Sequence, residues 1–309
     1  MPYQEPMFLP WDGQRVPLTF VGGYLGAGKT TAINEVLRVS DRPVAVVVND
    51  VGAVNVDARL IRSRKGDMIE LTDGCICCTS IEGMGAAFDQ IRARPEPPDH
   101  VIVELSGVAD PERMLPWGRS AGFVLDGLVV VVAADQLAGD DLPPFVRGQL
   151  EGQVAAADLL VLTKTDLVDA TVAAAARGAL VRLSPGTPVL DGGRTLGPGA
   201  IGRFLALGGR RPGGFGDLAA ATLFDVHETH VCDVPFGLAR LDLDAWLDDA
   251  LARVEAAAGQ VVRAKAIVDT PDEGLVVVQV VGRRREIEPL PVAEHRAPTD
   301  LVVITLRLT

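Results

Sequence analysis

Cationic side chains are scarce in this chain of 309 residues: 29 Lys and Arg stand against 41 Asp and Glu, a formal net charge of -12. Binding a polyphosphate backbone or an anionic bilayer takes a basic surface, so no general nucleic-acid or membrane partner is expected. No apolar run reaches the length of a membrane span without charges or turn residues. Residues 1–17 show no basic region followed by an apolar stretch, so no secretory signal is expected and the default is a soluble cytoplasmic protein. Internal repeats and long low-complexity tracts are absent as well. Cysteine is rare: there are four, too few for a disulfide scaffold, and three of them, Cys75, Cys77 and Cys78, fall within four residues. What is abundant is apolar material, 48% of the chain, enough for a sizeable core. The length itself predicts about two domains.

The most informative stretch is VPLTFVGGYLGAGKTTAINEVL, residues 16–37, an apolar strand, a glycine-rich turn and an amphipathic helix in succession. Gly23, four residues, then Gly28, Lys29 and Thr30 match the phosphate-loop pattern G-x-x-x-x-G-K-[ST]. Gly22, Gly23, Gly26 and Gly28 let the backbone approach closely, so that successive N–H groups converge on phosphate oxygens. The helix that follows points its positive end at the same anion. The candidate contacts are Gly23, Gly26, Ala27, Gly28, Lys29, Thr30 and Thr31, with Lys29 bridging the β- and γ-phosphates and Thr30 a ligand of Mg²⁺. An ordinary Gly-rich turn is the plainer alternative, but the required context of strand before and helix after is present.

The chain continues as alternating strands and helices. Residues 43–48 read as a buried strand, followed by a polar segment with Asp50 and Asp57. At a strand's carboxyl end these acids suit a nucleotide-dependent switch or a metal ligand, and equally a polar loop. After a short strand at 68–71 come Cys75, Cys77 and Cys78. Thiolates are soft donors suited to Zn²⁺, which takes four ligands, and three sulfurs this close face one ion only if the backbone curls, as Gly74 favours. A Cys77–Cys78 disulfide is disfavoured, because adjacent Cα atoms are about 3.8 Å apart and bridges need about 4.4 Å or more. Metal binding is preferred over redox chemistry, and both over inert thiols.

Residues 81–92 form a helix with Met84, Ala87, Phe88 and Ile91 on one face, and 100–105 a strand ending in Glu104, Ser106 and Gly107. An acid there suits a nucleotide-bound Mg²⁺, and the Gly107 amide a γ-phosphate. Strands at 127–134 and 158–162 follow, separated by a helix at 145–156; the second delivers Thr163, Lys164 and Asp166. A carboxylate at Asp166 accepts from guanine N1 and N2, a donor pair adenine lacks. A helix at 169–183, a short strand at 187–190 and a last helix at 198–207 complete a parallel α/β sheet.

Residues 208–222 read as a flexible Gly-rich linker. Beyond it the rhythm changes to a small α+β domain: a strand at 224–232, a helix at 241–258 with Leu243, Trp246, Leu247, Ala250, Leu251 and Val254 inward, and strands at 260–268, 275–281 and 301–308, with a turn at 272–274. His227, His230 and Cys232 lie on one edge. Alternation puts His230 and Cys232 on one face, a possible pair of metal ligands, but a partly buried thiol and two solvated imidazoles is the preferred reading. Residues 283–285, three arginines, read as a solvated turn. Arg263 and Lys265, two apart on a strand, suit a partner or the other domain equally.

Taken in order, GGYLGAGKTT, NDVGAVNVDA, GCICCT, ELSGVADP and LTKTDLV resemble the CobW family of metal-chaperone GTPases, in the SIMIBI class of phosphate-loop GTPases. The resemblance spans residues 16–207 and, more weakly, the second domain. It implies a P-loop NTPase fold, α/β with a mostly parallel sheet flanked by helices, then a smaller α+β C-terminal domain, divided as tail 1–15, GTPase domain 16–207, linker 208–222 and C-terminal domain 223–309. It also implies a cytoplasmic GTPase that binds a transition metal, Zn²⁺ or Co²⁺, at Cys75, Cys77 and Cys78 and delivers it to a client metalloprotein. Lys29 and Thr30 match the family's phosphate and Mg²⁺ residues, Glu104 its characteristic glutamate in the third GTPase motif and Asp166 its guanine-specifying acid. The candidate set is then Lys29 and Glu104 as catalytic residues, Thr30, Asp50, Asp57 and Glu104 as Mg²⁺ or switch residues, and Gly107, Thr163, Lys164 and Asp166 as further nucleotide contacts. Two departures stand out: Asp50 where many members have Glu, and Thr163 where Asn is usual in N-K-x-D. With only four histidines, the His-rich loop of some relatives is missing, which argues against metal storage. A phosphoryl transferase with structural cysteines and a non-catalytic, GTP-sensing metal buffer are the alternatives.

Overall fold

The computed structural model describes residues 10–40, 43–48, 68–70, 81–138, 142–193, 227–281, 284–290 and 298–306. Asp50, Asp57, the three clustered cysteines, the expected helix at 198–207 and the linker lie outside the described residues. The chain divides into two compact units.

In the first unit the strands are β1 (Val16–Gly22), β2 (Val44–Val48), β3 (Met68–Glu70), β4 (His100–Glu104), β5 (Phe123–Ala133), β6 (Leu159–Thr163) and β7 (Val189–Gly193). They form one seven-stranded sheet in the order β3-β2-β4-β1-β5-β6-β7. Every pairing in it is parallel. All residues of β2, β4 and β6 are buried, as strands covered on both faces must be, which is why they read as unbroken apolar runs. The intervening helices are α1 (Lys29–Val39), α2 (Ile81–Arg92), α3 (Pro111–Met114), α4 (Ala134–Ala138), α5 (Pro144–Ala156) and α6 (Ala170–Leu183).

β1 lies between β4 and β5, and the chain leaves it toward β2 on one side and returns to β5 on the other. Such a reversal opens a crevice at the strands' carboxyl ends, and the phosphate loop fills it. The three strands are stitched deeper down. The β1–β5 register slips between Leu18 and Thr19, leaving Asp126 as the extra residue. Thr19 Oγ1 donates to Asp126 Oδ2 at 3.2 Å and so accepts from His100 Nε2 at 2.8 Å, all three side chains being buried. At the other end of the sheet Trp11 donates its indole N–H to Arg94 O at 3.0 Å and sets its ring edge-on to Phe123.

The second unit has a five-stranded sheet in the order β11-β10-β9-β12-β8, from β8 (His227–Cys232), β9 (Gln260–Thr270), β10 (Gly274–Val281), β11 (Arg284–Pro289) and β12 (Leu301–Leu306). All its pairings are antiparallel. Helix α7 (Arg240–Ala258) lays Leu243, Leu247, Ala250 and Val254 on the face made by Ala264, Ala266, Val268, Val276, Val278, Leu301 and Val303. One sequence expectation is corrected here. Arg284 and Arg285 belong to strand β11, not to a solvated turn: Arg285 crosses to α7 and pairs with Asp244 at 3.1 Å and with Asp248. Local composition reads three arginines as solvated, whereas two acids one helical turn apart on α7 make a strand position for one of them favourable. Among the described residues no helix is long and apolar enough to cross a membrane.

Candidate nucleotide site

The phosphate loop leaves β1 at Gly23, whose φ of 126° only glycine adopts readily. Space forbids a side chain too, since a Cβ would stand 2.1 Å from Val131 O on β5. Gly26 and Gly28 are also left-handed, at φ 74° and 97°, and Gly28 caps α1, which starts at Lys29.

The carbonyls of the loop are held by donors from inside the protein. Lys29 is buried and its Nζ donates to Gly23 O at 3.0 Å and Tyr24 O at 3.5 Å. Gln136 of α4 donates Nε2 to Leu25 O at 2.7 Å. Thr163, the last residue of β6, donates Oγ1 to Ala27 O at 2.6 Å. Carbonyls committed in this way leave an anion to be met by N–H groups, the electrostatic requirement of a phosphate cradle. Burial of Tyr24 pushes its phenol well above the ordinary tyrosine value, so the ring adds no charge beside the loop.

Beside the loop, Thr30 Oγ1 donates to Glu104 Oε1 at 2.9 Å, where β4 ends next to β1. A hydroxyl on a buried carboxylate at a phosphate loop is a donor set that suits Mg²⁺, a hard cation preferring oxygen ligands. Gly107 follows closely: a Cβ on it would lie 2.6 Å from Leu25 N, so this position in the turn after β4 must be glycine for the backbones to touch. Thr31 faces solvent on the first turn of α1.

At the end of β6 the chain turns sharply at Lys164, in the left-handed region at φ 57°. A short 3-10 turn, Thr165–Leu167, then carries Asp166 to the rim of an open groove of about 450 Å³ that it lines with Leu167, Val168, Asp169 and Val172. β6 lies two strands from β1, so this groove opens on the same edge of the sheet as the phosphate loop. Thr30 and Glu104 thus touch each other, Lys29, Gly107 and Thr163 each touch the backbone of the loop, and Asp166 shares their edge. Thr163 commits its hydroxyl to the loop and to Val132 O at 3.2 Å. It braces the site.

Two residues of the site were not among the sequence candidates, Gln136 and Gln153. Gln153 had a signal: it occupies the buried stripe of α5 with Val146, Leu150 and Val154, a polar residue at an apolar position. Gln136 had none comparable. In the second unit, His230 Nε2 meets Thr305 Oγ1 at 3.1 Å and Cys232 packs against the core under α7, where burial pushes its thiol upward. Among the described residues no group of three potential metal ligands occurs.

A parallel α/β sheet whose central strand opens into this loop, with a buried lysine and a Thr–Glu pair beside it, defines a phosphate-loop nucleotide-binding protein. The chain belongs to the CobW/HypB/UreG family: the model of that nucleotide-binding domain matches residues 17–191, and that of the cobalamin synthesis protein cobW C-terminal domain matches 228–309. The zinc chaperone CobW of a Sinorhizobium species is 34% identical over 187 residues, 51% of this chain and 53% of its own length. The zinc chaperone YjiA of Escherichia coli K12 is 33% identical over 162 residues, 49% of this chain and 50% of its own. The chain therefore spans about half the length of the relatives it matches. Among solved structures, the Zn(II)-bound YjiA GTPase from E. coli aligns over 96% of this chain and 95% of its own, at 18% identity and a TM-score of 0.41. HypB from Helicobacter pylori in complex with nickel aligns over 62% and 84%, at 19% identity and a TM-score of 0.45.

Proposed function

We propose that this protein is a GTP-hydrolysing metallochaperone that loads a transition metal in the GTP state and releases it to a client metalloprotein after hydrolysis. The observation that carries the reading is the Thr30–Glu104 pair beside a phosphate loop whose Gly23, Tyr24, Leu25 and Ala27 carbonyls accept from Lys29, Gln136 and Thr163. The loop amides hold the α- and β-phosphates, and Lys29 reaches the β- and γ-phosphates. Thr30 and Glu104, directly or through water, would hold Mg²⁺, which neutralises charge developing on the phosphates. Asp166, at the rim of the groove, accepts from guanine N1 and N2 and so selects GTP over ATP.

The cargo site is Cys75, Cys77 and Cys78, three thiolates in four residues, and the names of the relatives favour zinc as the metal. Cobalt suits similar ligands, and affinity order alone does not choose between them. Asp50 and Asp57 belong to the segment that GTP would order. A cytoplasmic setting keeps the thiols reduced.

The test is a Zn²⁺ and Co²⁺ titration against a chromophoric chelator, with Mg²⁺ and either GDP or a non-hydrolysable GTP analogue. Tighter one-to-one binding with the analogue, lost in Cys77→Ser, is the expected result, because coupling between the sites must appear in both affinities. Equal affinity in the two nucleotide states, or a Cys77→Ser protein that binds as the parent does, would sink the chaperone reading.

A further inference from the structure

The turn at 106–109 follows Glu104 and closes with Ala109 N–H donating to Ser106 O at 2.9 Å. It meets the phosphate loop at two points. At its apex Gly107 lies against the backbone of Leu25. At its end Ala109 O accepts from Gln153 Nε2 at 2.9 Å, and the Oε1 of the same carboxamide accepts from Gly23 N–H at 3.1 Å. Gln153 is 3% exposed and Ala109 fully buried, so neither bond can be traded for one to bulk water. The carboxamide cannot flip either, because reversal would set N–H₂ against N–H and oxygen against oxygen.

Nothing in the packing of α5 asks for this residue. Val146, Leu150 and Val154 already fill the buried stripe, and a leucine of similar volume would complete it. What a glutamine adds is a rigid strut between two backbones: the first residue of the phosphate loop and the last of the turn after β4.

We propose that Gln153 is a positioning residue for GTP hydrolysis. It locks the turn bearing Gly107 to the Gly23 end of the phosphate loop, so the loop's grip on the α- and β-phosphates sets where the turn meets the third. The inference rests on the GTPase reading above. GDP and GTP share the phosphates that the loop holds, and only GTP has one for the turn. Losing the strut therefore weakens GTP and its hydrolysis while sparing GDP, which a merely structural glutamine would not do.

The experiment uses the full chain with Gln153→Leu, which keeps the volume and loses both bonds, and Gln153→Glu, which keeps the acceptor for Gly23 and loses the donor to Ala109. Affinities for GDP and for a non-hydrolysable GTP analogue with Mg²⁺, together with kcat and KM, are the readouts. Both variants should hold GDP within about twofold of the parent and lose about tenfold in analogue affinity and in kcat, the size of one well-made hydrogen bond. Equal weakening of both nucleotides, or a lower melting temperature with unchanged nucleotide preference, overturns the proposal. Should the leucine variant not fold, the glutamate variant decides alone, and parental preference there overturns it. A parent protein that binds no guanine nucleotide refutes the GTPase reading itself, whereas a binding parent with indifferent variants refutes only the strut.

Discussion

Thr163 shows how one side chain changes meaning between sequence and structure. By its place before Lys164 and Asp166 it is a nucleotide contact, yet its hydroxyl is committed to Ala27 O and Val132 O. A buried carbonyl deprived of its donor costs about 1–3 kcal/mol. Thr163→Val, which preserves shape, should therefore lower the unfolding free energy by that amount, seen as a lower denaturant midpoint, and loosen guanine-nucleotide binding; Thr163→Ser should restore both. Denaturation curves and nucleotide titrations of the two variants check this. A valine variant as stable as the parent would mean that Ala27 O finds another donor.

Among the elements, β11 is one that local sequence conceals. Its opening arginines suggest solvent, but strand pairing with β10 places Arg285 over α7, where Asp244 and Asp248 take it. The hydrogen bond from Arg240 chiefly, opposed by burial and helped by Arg285, holds the Asp244 carboxyl below the ordinary carboxylate range. A carboxyl whose folded pKa is depressed contributes stability above its unfolded value of about 3.9 and loses it as pH falls through the folded one. Asp244 is half-exposed, so solvent screening limits the effect to at most about 1 kcal/mol. Arg285→Ala should accordingly lower the melting temperature slightly at pH 7, and the difference from the parent should shrink as the pH is taken below about 3.9. A gap that stays constant into acid would assign the loss to packing of the arginine stem instead.

For the whole molecule, ligand linkage gives the broadest check. Guanine nucleotide with Mg²⁺ at one hundred times its dissociation constant should stabilise the folded chain by about 2.7 kcal/mol. In a unit of this size that is a rise of roughly 5–10 °C in melting temperature. ATP at the same concentration should give little if the proposed discrimination rests on Asp166, a carboxylate facing donors that adenine lacks. A rise of equal size with ATP would remove Asp166 from its role.

How much was legible depended on how local the signal was. The motif of Gly23, Gly28, Lys29 and Thr30 and the apolar runs of β1, β4, β5 and β6 are encoded in neighbouring residues, because a loop that cradles phosphate and a strand buried on both faces each demand residue types in a fixed order. The alternating architecture followed from them, as did Glu104 and Asp166 at the strand ends. Contacts between residues far apart in the chain did not announce themselves. Gln136 reaches Leu25, Gln153 joins Gly23 to Ala109, and Asp126 meets Thr19 through a bulge. Each partner is chosen only when strands from distant parts of the chain lie side by side, since a buried polar group takes whichever donor or acceptor the packed neighbours present. The sequence by itself determined that a phosphate loop would form on a parallel sheet; only the tertiary structure decided which side chains hold that loop in shape.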